Sequence, residues 1–221
     1  MINCVFSENL AGRYGGGSYN FHSSALFLNC VIEHNYAGFR GGGQYNEDGS
    51  DAVLANTIFY KNIAKEDGGG LVSKNRNSNV KVFNCIFYKN ATIEGLGGGS
   101  YSIAEGTVAI RNSIFWANIQ QNNINGVGSD FASEYKDSNF PIYTLVQEET
   151  IEGLGIINNQ NPLFINPENP IGADNLWFTK DDGFQLQPNS PALFKGHFDN
   201  AIMINFFGEE REERKINMGA Y

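Results

Sequence analysis

Asn84-Cys85-Ile86-Phe87-Tyr88-Lys89-Asn90 decides the fold, because the same pattern stands four more times in the chain. It reads NCVFSEN from Asn3, NCVIEHN from Asn29, NTIFYKN from Asn56 and NSIFWAN from Asn112, with starts 26, 27, 28 and 28 residues apart. A second motif keeps step: Gly15-Gly16-Gly17, Gly41-Gly42-Gly43, Gly68-Gly69-Gly70 and Gly97-Gly98-Gly99, at steps of 26, 27 and 29, then a weaker GVGSD from Gly126 to Asp130. A fixed period of this length marks stacked structural repeats.

The period does not mean a leucine-rich horseshoe, since LxxLxL is absent. Apolar residues alternate around the first Asn of each copy: Val80, Val82 and Ile86 about Asn84, Ala52, Leu54 and Ile58 about Asn56, Val108, Ile110 and Ile114 about Asn112. Period-two alternation predicts strands with these positions facing a core. The expected architecture is all-β, a right-handed parallel β-helix of about five repeats. Residues 1–130 form regular coils, 131–176 the final irregular coils and 177–221 a C-terminal cap.

Asn tolerates the left-handed backbone of strand-to-strand corners. In register, Asn3, Asn29, Asn56, Asn84 and Asn112 are expected to hydrogen-bond amide to amide along the axis, as are Asn9, Asn35, Asn62, Asn90 and Asn118. The glycine triplets allow positive φ and close backbone approach. No helix follows them, so they are not phosphate loops.

Composition excludes several functions. The net charge is −9 with only 15 Lys plus Arg, which disfavours nucleic acid and anionic membrane surfaces. No stretch approaches the roughly 18 apolar residues of a membrane span. Cys4, Cys30 and Cys85 share one repeat position with Thr57 and Ser113. A buried row of reduced thiols is therefore expected rather than a Cys4–Cys30 disulfide or a zinc site. The N-terminus shows no signal-peptide pattern. Met1 lies so close to the first motif that an upstream segment is expected to be missing, or the open coil edge to pair with another chain.

The repeats resemble those of the polymorphic outer-membrane protein family, whose FxxN appears as Phe6 to Asn9, Phe59 to Asn62, Phe87 to Asn90 and Phe115 to Asn118. Ile32 replaces Phe in the second copy, and the family's GGA[ILV] is GGGS, GGGQ or GGGL here. The C-terminal third, with Asn161-Pro162-Leu163-Phe164, Gly183 to Leu193 and Asn217-Met218-Gly219-Ala220-Tyr221, resembles the ending of choice-of-anchor β-helix proteins, many called pectate-lyase-like. The two resemblances imply a secreted or surface-anchored bacterial protein. By that likeness the chain is a non-catalytic, structural or adhesive module that contacts glycans, the alternative being a polysaccharide lyase or glycoside hydrolase.

Two aromatic rows are the candidate sugar-stacking residues. Tyr19, Tyr45 and Tyr101 follow the glycine triplets, with Val72 in the third copy. Outward they form a stacking ladder, inward they are core, and Val72 favours the inward orientation. Tyr60, Tyr88 and Trp116 lie beside Phe59, Phe87 and Phe115, so one of the two rows must be the more exposed. Acidic turns at Glu47 to Asp51, Glu66-Asp67 and Asp181-Asp182-Gly183 are rich in oxygen, but none has a recognised calcium spacing, so no cofactor is expected. Catalytic residues are not assigned: no Asp recurs at matching repeat positions, and His22, His34 and His197 do not repeat. Glu8 and Glu33 read as an outer charged ladder continued by Lys61 and Lys89.

Overall fold

The computed structural model describes residues 1–121, 129–135, 139–212 and 215–221. Gly126, Val127 and Gly128 of the last glycine motif lie outside the described residues. Those described form a parallel β-solenoid of about five turns, without an α-helix. Each turn lends one short strand to each of four stacked sheets. Sheet 1 has seven strands: Val5–Ser7, Val31–Glu33, Ile58–Tyr60, Ile86–Tyr88, Ile114–Trp116, Leu145–Val146 and Ile157–Asn158. Sheets 2, 3 and 4 have five strands each and begin at Leu10–Ala11, Ser18–Phe21 and Leu26–Leu28.

The corners explain the motif. Asn3, Asn29, Asn56, Asn84 and Asn112 hold φ between 45° and 52°, the left-handed region that Asn tolerates. At the other end of the strand the residue before the second Asn takes that conformation, with φ of 51–57° at Glu8, His34, Lys61, Lys89 and Ala117. Each corner turns the chain and restarts the alternation of side chains. Ile58, Ile86 and Ile114 therefore do not share a face with the preceding valines and leucines. Leu54, Val80, Val82, Val108 and Ile110 lie in the interior with Phe59, Phe87 and Phe115, whereas the three isoleucines lie on the outer side of sheet 1. The glycine triplets are forced by close approach: a Cβ on Gly69 would sit 2.5 Å from the Gly98 carbonyl oxygen of the next coil.

The interior repeats coil by coil. Phe59, Phe87 and Phe115 stack with centroids 4.4 and 4.2 Å apart. Beside them a row of small side chains donates to the carbonyl two residues back: Cys30 to Leu28 (3.4 Å), Thr57 to Ala55 (3.1 Å), Cys85 to Phe83 (3.3 Å) and Ser113 to Arg111 (2.7 Å). Thr144 extends the row with 3.0 Å to Ile142. This is why Cys, Thr and Ser interchange there. The cysteines are free, and burial pushes the Cys85 thiol up to about 12.

The second asparagine row forms an unbroken internal ladder. Nδ2 of Asn9, Asn35, Asn62 and Asn90 donates to the next Asn Oδ1 at 2.9, 3.0, 2.9 and 3.1 Å. The same Oδ1 atoms accept the backbone N–H of the preceding Asn. Each Nδ2 from Asn35 onward also donates to a carbonyl one coil back: Phe6, Ile32, Phe59 and Phe87. The ladder ends where Asn118 donates to Asp130 Oδ1 at 3.0 Å.

The first asparagine row does something else. Only one amide–amide bond forms there, Asn56 to Asn29 at 2.9 Å. Asn56, Asn84 and Asn112 otherwise grip the backbone of a C-terminal strap, through Ile204 O (2.8 Å), Asn217 O (3.2 Å) and His197 O (2.9 Å). That strap, 163–221, packs along the flank of sheet 1, where Phe164, Phe184, Phe206, Met218 and Tyr221 cover Val31, Ile58, Ile86, Ile114 and Leu145. Phe164, read from sequence as part of a final coil, instead bridges Leu186 in antiparallel fashion. Ile151 and Ile156, just after the Leu145–Val146 strand, pack against the interior cluster. Arg211 is half-buried in the strap and donates to the carbonyls of Ile204, Ala220 and Tyr221, and desolvation pulls its guanidinium down to about 10.

The ladder sets a quantitative expectation. Asn90→Ala orphans buried groups on both neighbouring coils and should lower the unfolding free energy by about 2–4 kcal/mol, at about 1–3 kcal/mol per stranded group. Asn9→Ala at the exposed end should cost under about 1 kcal/mol. Urea titration of the two variants checks the ranking, and equal losses would contradict a register-locking ladder.

Candidate functional site

The row Tyr19, Tyr45, Val72, Tyr101 is in strict register on sheet 3. It stands apart from the interior core. Tyr45, Val72, Tyr101 and Ile103 form a satellite cluster with Tyr14, separate from the coil interior that holds Leu71. Tyr45 is fully buried, its ring stacked 4.6 Å from Tyr14, and its hydroxyl has no hydrogen-bond partner. Of this row, Tyr19 alone is exposed (48%), and it donates to Glu47 at 2.8 Å.

The second row, Tyr60, Tyr88 and Trp116, lies on the outer side of sheet 1, as does Glu33 before it. Its neighbours Phe59, Phe87 and Phe115 are the inner row. The outer rings are covered by the strap: Phe184 lies 5.4 Å from Tyr60 and 5.2 Å from Tyr88. Tyr60 and Tyr88 are buried and Trp116 half-buried.

The charged ladder differs from the sequence expectation by one residue. Ser7, not Glu8, pairs with Glu33, and Glu33 pairs with Tyr60. Glu8 stacks instead toward His34, Lys61 and Lys89, all at the left-handed corner. The outer aromatic row thus gives way to Ser7 and Glu33 on the first two coils, beside a corner row of titratable groups. Here the strap stands off, leaving a groove of about 340 Å³.

Elements on both sides position its groups. Glu33 Oε1 accepts the Trp177 indole N–H at 3.0 Å, and its Oε2 lies 3.4 Å from His34 Nδ1. The His34 ring stands edge-on to Tyr60 at 5.2 Å, and Lys61 Nζ sits 4.8 Å from the Tyr60 centroid. The far wall, Glu168 to Ile171, is tied down where Lys89 Nζ meets Glu168 Oε1 at 2.6 Å, a contact that holds the Glu168 carboxyl below its usual range. Glu33, His34, Lys61, Glu168 and Trp177 were not chosen from the sequence as a site. The one available signal was the interruption of the Tyr60, Tyr88, Trp116 row by Glu33.

The acidic turns are occupied internally. Glu47 meets Lys74 Nζ at 2.5 Å, and Asp67 accepts from Arg40 Nε at 2.7 Å and from the Leu96 N–H at 2.9 Å. Asp48 accepts from Asn75, and Asp182 from the Tyr221 hydroxyl at 2.9 Å. Among the described residues no three His, Cys, Asp or Glu side chains converge as a metal-binding group. Burial raises the Asp130 carboxyl up to about 7, beside Glu148, and the Asp182 carboxyl up to about 6. Neither lines the groove. Comparison of the chain with protein-family models, with curated proteins and with solved structures finds no match in any of the three.

The buried carboxyls give the fold a pH dependence. In the unfolded chain both titrate near 3.8, whereas in the folded chain they keep their protons up to about 6 and about 7. The folded state thus binds more protons across this window, and stability falls as pH rises through it. Melting temperature should drop between pH 4 and pH 7 and level off above. The Asp130→Asn, Asp182→Asn double variant should show a flatter profile, and an unchanged slope would contradict the assignment.

Proposed function

We propose that this chain is a non-catalytic β-solenoid module of a secreted or surface protein, and that it binds saccharide at the groove beside Glu33. The observation that carries this reading is the groove itself. It is where the outer apolar row stops, and it brings carboxylate, imidazole, ammonium and amide groups around an open volume beside Tyr60. Sugar hydroxyls are recognised by such mixed donors and acceptors, and a concave site with a few convergent polar groups is the default binding-site hypothesis. Tyr19 offers a further ring face on sheet 3.

Several features favour binding over bond cleavage. A glycosidase general acid is a carboxyl raised by its surroundings. Asp130 and Asp182, whose carboxyls are raised, are buried away from the groove, while Lys89 holds Glu168 in its ionised form. Glu33 is engaged by Trp177 and His34, which suits a fixed hydrogen-bond acceptor.

A glycan array combined with depolymerisation assays on pectin, alginate and glycosaminoglycan tests this. The expected outcome is retention of saccharide without new reducing or unsaturated ends. The Glu33→Gln, His34→Ala variant should bind at least about tenfold more weakly, a loss of about 1.4 kcal/mol. Chain cleavage would make the protein a lyase or hydrolase, and unaltered binding by the variant would move the site elsewhere.

A further inference from the structure

We propose a second binding site at the far end of sheet 1 from the Glu33 groove: a recess that takes a small aromatic carboxylate, its ring against apolar side chains and its anion on Lys195. The recess has a volume of about 520 Å³, larger than the groove, and shares no lining residue with it. Small-molecule sites span roughly 300–1,000 Å³. Tyr143, Gly155, Ile156 and Ile157 line it from the sheet side, Pro191 and Lys195 from the strap. Both walls are tied down. The Tyr143 N–H donates to the Leu154 carbonyl at 2.7 Å and the Ile157 N–H to the Thr144 carbonyl at 3.0 Å. Gly155 lies so close to the Tyr143 ring that a Cβ there would collide with it, and the His197 ring stacks on Tyr143 at 4.8 Å. On the strap side Ala192, next to Pro191, is buried in the outer cluster, and its carbonyl accepts from the Met218 N–H at 3.1 Å. A cavity whose walls are already ordered loses little entropy when a ligand enters.

The lining chemistry selects the ligand. Tyr143, Ile156, Ile157 and Pro191 offer flat apolar surface that suits a ring. A sugar fits poorly, because its hydroxyls would lose water and find only the Gln160 and Lys195 side chains and the Tyr143 hydroxyl in return. Lys195 is the one charged residue of the lining, and no carboxylate stands with it. Among the described residues its ammonium enters no ion pair. The chain carries −9 overall, but charges beyond about 8 Å are largely screened at physiological salt, so the nearest ammonium sets the sign of the site. An uncompensated ammonium at the rim of an apolar recess is complementary to an amphipathic anion.

Isothermal titration of the full chain with trans-cinnamate, its neutral isostere cinnamamide, and acetate tests the site. Cinnamate should bind one to one and at least about tenfold tighter than cinnamamide, the scale of a hydrogen bond to a charged group. Acetate, which has the charge without the ring, should give no measurable heat. Lys195→Gln should weaken cinnamate at least about fivefold, and Gln160→Trp, a bulky side chain at an exposed rim position, should weaken both aromatic ligands. Lys180→Gln, a lysine outside the recess, should change nothing. Circular dichroism and melting temperature confirm the fold of each variant. Absence of cinnamate binding, equal affinity for cinnamate and cinnamamide, or affinity unchanged by both Lys195→Gln and Gln160→Trp would overturn the proposal. Each of these outcomes leaves the saccharide reading of the Glu33 groove to its own test.

Discussion

A buried asparagine has nowhere to place its amide except on another buried polar group, and that constraint governs this solenoid. Each ladder Asn spends Oδ1 on the preceding coil and Nδ2 on the following amide and a carbonyl behind it. A slip of one residue between coils would strand every one of these groups at once. Register is therefore set by polar satisfaction as well as by the stacked phenylalanines, which alone would tolerate some sliding. The row of Cys, Thr and Ser donors adds a second polar track next to it. Asp130 ends the ladder as an acceptor for Asn118, and its own backbone N–H is taken by Glu148 at 2.8 Å.

Outside the coil the same residue type does different work. The outer side of sheet 1 is apolar through Val31, Ile58, Ile86 and Ile114, and a patch of that kind is normally covered. The strap covers it with Phe184, Phe206 and Tyr221 but makes little regular secondary structure of its own. Its backbone groups still need partners. Asn56, Asn84 and Asn112, spaced one coil apart, supply them, and Arg211 gathers the carbonyls that remain. Left-handed Asn corners thus serve as docking points for a segment more than 80 residues away in sequence, as with Asn112 and His197.

The groove follows from where this cover stops. Glu33 stands in the position that later coils fill with Tyr60, Tyr88 and Trp116, and a carboxylate there cannot be buried under Phe184 without losing its hydration. Trp177 meets it with an indole N–H instead of an apolar ring face, and the wall from Glu168 to Ile171 stays apart from the corner. Two neighbouring coils with nearly the same backbone therefore differ in exposed surface because of one side chain.

The sequence by itself determined the solenoid, its period and its corners, because these arise from short-range physics: left-handed Asn, close-packed Gly and strands of alternating polarity repeat visibly along the chain. The small-residue track was legible for the same reason, whereas which of the two ring rows faces inward was not. The tertiary structure alone decided which asparagine row ladders and which one grips the strap, since both rows have identical residue types and spacing. It also decided that Ile58, Ile86 and Ile114 face outward, because a left-handed corner breaks the alternation that a linear reading carries through. The meeting of Glu33 with Trp177, and of Lys89 with Glu168, joins residues 144 and 79 positions apart. No local pattern encodes such contacts, which exist only because an apolar flank has to be covered by whatever segment the chain can bring to it.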